Sequence, residues 1–230
     1  MQQTSCWHIL ETADQVAFAA YQQILEAADQ AIANHGQFKL VLAGGGTPEK
    51  VYRLLAKANA DWSRWFIYYG DERCLPVDHA ERNSLMAETA FLSKVAIPQE
   101  QIFTIPAELG PESGALQYQN NVAVALPFDM VLLGMGEDGH TASLFPGHQH
   151  NTDELTHAVF NSPKPPSERV SISAKGLSDT KQLIFLITGK NKQEAVKGWR
   201  IGEDLPVTAI IPKKAVDIYI DQDAYNSESA

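Results

Sequence analysis

A chain of 230 residues, 44% hydrophobic and 20% charged, is long enough to bury a core and predicts one globular domain over 1–230 that folds without disulfides or metal. A formal net charge of −10 argues against nucleic acid as a partner, because that affinity comes from neutralising phosphates, and no apolar stretch is long enough to span a bilayer. The opening "MQQTSCWHILETADQ" lacks the basic and apolar blocks of a secretory leader, and Cys6 and Cys74 form no CxxC pair, so the expectation is a cytoplasmic protein without a disulfide framework or a structural zinc site.

In chain order, residues 12–35 read as an amphipathic helix, with Thr12 as N-cap, Gln15 completing a capping box and Gly36 past the end. "FKLVLA" (38–43) is a buried strand, "GGGTP" a turn, and "EKVYRLLAKA" a helix. "WFIYYG" (65–70) is a second strand, followed by the polar "DER". Residues 83–92 read as a helix capped by Asn83, "QIFTI" as a weak third strand, and 111–125 as a helix starting at Pro111. "FDMVLLG" (128–134) is the clearest strand, and "ERVSIS" (168–173) alternates as a half-exposed one. "QLIFLITG" (182–189) is a buried strand leading into the helix "NKQEAVKGW", and "AVDIYID" (215–221) is the last strand. The stretch 161–168, "NSPKPPSE", is the most linker-like, and the tail "QDAYNSESA" is expected to fray. Strands alternating with helices imply an α/β fold: a three-layer, doubly wound, mainly parallel sheet with helices on both faces.

Ligands of open α/β sheets bind at the carboxyl ends of the strands. Four polar or glycine-rich segments leave such ends: "GGGTP", "GDER", "GMGEDGHTAS" and "GKNK". In the first, Thr47 suits an N-cap and Pro48 the first helical position, which makes a helix N-terminus able to take a phosphate; a plain tight turn is the other reading. In the second, Arg73 suits a phosphate or an oxyanion, unless it is consumed in an ion pair with Asp71 or Glu72. In the third, Asp138 precedes His140 by two residues, close enough to orient an imidazole that acts as a general base. Arg169, Lys190 and Lys192 are further phosphate candidates. His148, His150 and Asp153 could hold a metal, but no HExxH or cysteine cluster supports it, and no GxSxG elbow is present.

The segments "LAGGGTPEKVYRLL", "YYGDERCLP", "LLGMGEDGHTASLFPG", "RVSIS" and "TGKNKQEAV" resemble, in order and spacing, the 6-phosphogluconolactonases, over nearly the whole chain. The resemblance implies a fold related to glucosamine-6-phosphate deaminases and ribose-5-phosphate isomerases. It implies hydrolysis of 6-phospho-D-glucono-1,5-lactone in the oxidative pentose phosphate pathway, with a small sugar phosphate as partner and no metal or organic cofactor. Carried over by position, His140 is the base that activates water, Asp138 supports it, and Arg73 meets a substrate oxygen or the phosphate. Gly45, Gly46 and Thr47 resemble the phosphate-side loop, Arg169 and Lys192 the remaining phosphate ligands, and Asp71 and Asn83 complete the substrate-binding set. One departure stands out: the family often has Ser-Asn where this chain has Arg82-Asn83.

Two other readings compete. An amino-sugar phosphate deaminase of the same fold carries a glutamate in its proton relay where this chain has Phe145, which cannot shuttle a proton. A non-catalytic sugar-phosphate sensor needs the phosphate loop but neither Asp138 nor His140. The acidic surface and the lack of an apolar stripe point to a monomer.

Overall fold

The computed structural model describes residues 3–149 and 153–226. The apolar runs become strands β2 (Phe38–Leu42), β3 (Trp65–Tyr69), β5 (Phe128–Gly134), β8 (Thr180–Ile187) and β9 (Val216–Asp221). With β1 (Ser5–Leu10) they form one six-stranded sheet in the order β1-β9-β8-β5-β2-β3. Every pairing in it is parallel. Residues 128–133 are buried throughout, which is why that segment reads as an unbroken apolar run rather than an alternating one.

Helix α1 (Ala13–His35) starts where Thr12 accepts the Gln15 N–H at 3.2 Å and stops at Gly36, whose φ of 81° is the left-handed cap that glycine adopts without strain. Reciprocally, the Gln15 side-chain oxygen accepts the Glu11 N–H, one residue before the one a capping box uses. Helices α2 (Gly46–Leu55), α3 (Asn83–Ala90), α4 (Pro111–Ala125) and α6 (Gln193–Arg200) follow the predicted positions to within a few residues, and the short α5 (Ala174–Ser178) is an addition to them. Helices lie on both faces of the sheet. Trp7 packs edge-on against Trp199 of α6 on one side, while Asp217 lines a cavity with Gln23, Ala27 and Ala31 of α1 on the other. Among the described residues no helix is long and apolar enough to cross a membrane.

A second, three-stranded antiparallel sheet went unpredicted as a unit: β4 (Asp71–Arg73), β7 (Arg169–Ile172) and β6 (Thr156–Val159), in the order β4-β7-β6. The polar "DER" is therefore a strand rather than a loop, and β7 is fully buried rather than half-exposed. The cause is tertiary: α4 closes over this sheet, bringing Val170 so near Gly114 that an added Cβ would sit 3.0 Å from the valine methyl. "QIFTI" is not a strand; only Ile102 bridges to Ile67, after a 3-10 turn at Gln99–Gln101. Strand β1 was missed because "SCWHIL" mixes aromatic, polar and apolar residues with no clean period of two.

Candidate active site

The carboxyl ends of β2, β3 and β5 meet the β4–β7 pair around a pocket of about 220 Å³. Gly45, Asp71, Arg73, Asn83, His140, Arg169 and Lys192 all line it, and Asp138 stands behind His140. Besides Asp138, two of the predicted site residues do not line it. Gly46 opens helix α2, and the hydroxyl of Thr47 faces away to that of Thr188, 2.7 Å from it. Thr47 is also not the N-cap, since Gly45 holds that place with a φ of 105°. The turn tightens two residues earlier than expected because glycine accepts a backbone that threonine does not.

The histidine loop is built by its glycines. The Gly136 N–H donates to the His140 carbonyl at 2.8 Å, and Gly139, at φ 77°, lets the chain turn back. A Cβ at Gly136 would lie 2.0 Å from His140 Nδ1, so only glycine fits beneath the ring. Asp138 Oδ1 sits 2.5 Å from His140 Nδ1 and also accepts the His140 backbone N–H at 3.2 Å. Burial raises the Asp138 pKa, yet the hydrogen bond to His140 and its charge outweigh this and hold the carboxyl below the usual carboxylate range. An ionised Asp138 accepts a hydrogen bond from Nδ1–H, which fixes the tautomer that leaves the Nε2 lone pair for chemistry. The buried ring of Phe145 packs 4.7 Å from the imidazole at 40°, and the Arg169 guanidinium lies over the same phenyl ring at 5.6 Å.

Both acids of β4 are occupied by other protein groups. Asp71 accepts from Ser143 Oγ at 2.6 Å and from Asn83 Nδ2 at 3.1 Å, and lies 3.8 Å from Arg169 Nη1. Glu72, 1% exposed, accepts the backbone N–H groups of Asn83 and Ser84, each at 2.8 Å. It thus caps α3 from another strand, and Asn83 is the first helical residue rather than the cap. Neither acid forms the ion pair with Arg73 that the sequence left open; the partner of Glu72 is Arg82, 3.3 Å away. Arg82 is 2% exposed and also bonds Glu108 and the carbonyls of Leu75 and Ile105.

Three cations face the pocket of this strongly acidic chain. Arg73 donates to the Glu81 carbonyl through Nη1. Arg169 donates to the carbonyls of Lys164, Pro165 and Pro166, which ties the linker-like 161–168 segment to the site; an ion pair from Lys164 to Glu137 tethers it again to the histidine loop. Burial pushes the Lys192 ammonium below the usual lysine range, against the opposing pull of Glu137 and Asp138. Lys190 is exposed and does not line the pocket. Cys74 is a poor nucleophile, because burial pushes its thiol up to about 11. His148 packs on Phe145; His150 lies outside the described residues, so the His148/His150/Asp153 grouping is not placed.

The sequence reading missed Gly44, Thr141, Ala142 and Ser143. A Cβ at Gly44 would sit 2.1 Å from Asn83 Oδ1, and Ala142 lines the pocket at a φ of 47°, a strained value for a residue with a side chain. The first glycine of "GGGTP" was the available signal for Gly44. Nothing local marks Ser143, whose partner Asp71 is 72 residues away.

This architecture recurs in known proteins. Residues 11–219 match the family described as "Glucosamine-6-phosphate isomerases/6-phosphogluconolactonase". The chain is 36% identical over 197 residues to a 6-phosphogluconolactonase of Rattus norvegicus, covering 78% of this chain and 76% of that one. It is likewise 36% identical over 179 residues to a 6-phosphogluconolactonase of Synechocystis, covering 73% of each. The crystal structure of a 6-phosphogluconolactonase from Thermotoga maritima superposes with a TM-score of 0.88 at 26% identity, over 95% of this chain and all of that one. With a matched region that runs from α1 into β9 and includes every strand end around the pocket, the chain belongs to the glucosamine-6-phosphate isomerase/6-phosphogluconolactonase family.

Proposed function

We propose that the protein is a 6-phosphogluconolactonase, hydrolysing 6-phospho-D-glucono-1,5-lactone to 6-phospho-D-gluconate in the oxidative pentose phosphate pathway. The observation that carries this reading is the Asp138-oriented His140 in a pocket ringed by Arg73, Arg169 and Lys192. The δ-lactone is an activated ester, so water and a base are enough and no covalent nucleophile is needed. His140 Nε2 takes a proton as water attacks C1, Arg73 and loop N–H groups steady the oxyanion, and the imidazolium returns its proton to the departing ring oxygen. Arg169 and Lys192 hold the phosphate.

Within the family the deaminase chemistry fits less well, because the buried Phe145 occupies the wall beside His140 where a second proton carrier would be needed. The decisive assay generates the phosphorylated lactone with glucose-6-phosphate dehydrogenase and follows its decay. Decay well above the spontaneous rate is expected; a rate equal to the blank would remove this reading and turn attention to glucosamine-6-phosphate. We also read the protein as one domain acting as a monomer in the cytoplasm. Its large exposed apolar side chains, such as Phe18, Val77, Val124 and Ile201, belong to separate elements, and both cysteines are free.

The depressed Lys192 makes a pH prediction. In the ligand-free protein this ammonium loses its charge at a lower pH than an exposed lysine, which titrates near about 10.4. Affinity for 6-phosphogluconate, measured by calorimetry, is therefore expected to fall as pH rises toward that range. In Lys192→Arg the fall should largely disappear, since a guanidinium stays charged. Parallel profiles for the two proteins would take Lys192 out of phosphate binding.

A further inference from the structure

The other edge of the six-stranded sheet carries a set of metal-ligating side chains that the lactonase chemistry does not use. Cys6 and His8 stand two residues apart on β1 and so share one face of the strand. The parallel register places Asp217 of β9 directly beside Cys6 and Tyr219 beside His8. One ligand atom from each of Cys6, His8 and Asp217 lies within 4.8 Å of the other two. His8 Nε2 is already 2.8 Å from Asp217 Oδ1, and the imidazole stacks on Tyr219 at 4.6 Å and 17°, which fixes the plane of the ring. Cys6 is exposed, while His8 and Asp217 are partly buried. Cys6 and Asp217 are the second residues of their strands, so the cluster lies toward the amino ends of the sheet. The catalytic pocket is at the carboxyl ends, and β9, β8 and β5 separate β1 from β2.

We propose that Cys6, His8 and Asp217 bind one zinc(II) ion, with water in the fourth position. A thiolate, an imidazole and a carboxylate make the mixed sulfur, nitrogen and oxygen set that this borderline-soft ion takes in tetrahedral sites. Bonds of roughly 2.0–2.3 Å put tetrahedral ligand atoms roughly 3.5 Å apart, so the His8–Asp217 pair opens from 2.8 Å while the longest separation, within 4.8 Å, closes, each a movement of roughly 1 Å that side-chain rotation at an edge strand provides. Binding displaces the thiol proton and any proton shared between His8 and Asp217. The ion then joins β1 to β9, clamping the edge strand to the sheet. The sequence argued against structural zinc because it holds no cysteine cluster; the third ligand comes from a residue 209 positions away from His8.

The full chain, titrated with cobalt(II) as a spectroscopic stand-in and then with zinc(II), tests this. One equivalent of cobalt(II) is expected to produce a thiolate-to-cobalt charge-transfer band and the intense visible absorption of a tetrahedral site, both bleached by zinc(II). Cys6→Ser should abolish the charge-transfer band, Cys74→Ser should keep it, and Asp217→Asn should weaken metal affinity at least tenfold. Zinc(II) at about a hundredfold above its Kd should raise the Tm by roughly 5–10 °C. Cys6→Ser should leave lactone hydrolysis unchanged, so failure here is separate from failure of the proposed activity. A parent protein without the charge-transfer band, a band that survives Cys6→Ser, or an Asp217→Asn variant that binds as tightly as the parent would overturn the proposal.

Discussion

Replacing His140 with alanine is expected to lower kcat for lactone hydrolysis by about 10²–10⁴-fold, the usual cost of a positioned general base, while 6-phosphogluconate still binds within a few-fold of the parent. The separation follows from the geometry. In the proposed mechanism His140 acts through Nε2 on the attacking water, whereas the phosphate is assigned to Arg169 and Lys192, which line the pocket from other elements. Asp138→Asn should lose part of the same factor, because an amide cannot replace the charge that steadies the imidazolium, although it can still hold the ring. Rate measurements on the generated lactone, paired with calorimetry on the product, read the two terms separately. A fully active His140→Ala would remove this residue from the mechanism. A variant that loses product affinity as well would mean that His140 supports the loop rather than the chemistry.

Arg82→Ala is expected to destabilise the protein by about 3–5 kcal/mol, because it leaves the carboxylate of Glu72 buried without its compensating charge. Both side chains are at most 2% exposed and 3.3 Å apart, so solvent screens the pair little. For a chain of this size the loss corresponds to a Tm lower by roughly 6–20 °C. Arg82→Ser should behave similarly, since a hydroxyl reaches neither Glu108 nor the carbonyls of Leu75 and Ile105. Adding Glu72→Gln to Arg82→Ala should recover part of the loss by removing the stranded charge. Denaturant unfolding at neutral pH decides the matter, and a loss under about 1 kcal/mol would show that Glu72 is adequately held by the backbone of α3 and does not depend on Arg82.

What was legible in the sequence is what local pattern encodes. The runs at 38–42, 65–69, 128–134, 182–187 and 216–221 are strands because continuous apolar stretches bounded by glycine or polar residues have few other folded outcomes. The helix ends at Thr12 and Gly36 follow from capping chemistry within a few residues of chain. The loop "GEDGH" was readable because the aspartate and the histidine it orients are two residues apart. The short strands β4 and β6 were not readable, since three or four residues carry no periodicity and their pairing depends on partners far along the chain.

The site divides along the same line. By itself the sequence determined the α/β order of elements, the glycine-rich strand ends, and the Asp138–His140 pair, because these rest on interactions within one turn or loop. Only the tertiary structure decided which charges remain available to a ligand. It spent Glu72 on the N-terminus of α3 and on Arg82, spent Asp71 on Ser143 and Asn83, and turned Thr47 toward Thr188. It also set Cys6 and His8 beside Asp217 through a strand pairing between the two ends of the chain. These partners are separated by tens to hundreds of residues, and a side chain's role depends on which buried polar groups must be satisfied once the sheet has formed. That requirement exists only in three dimensions.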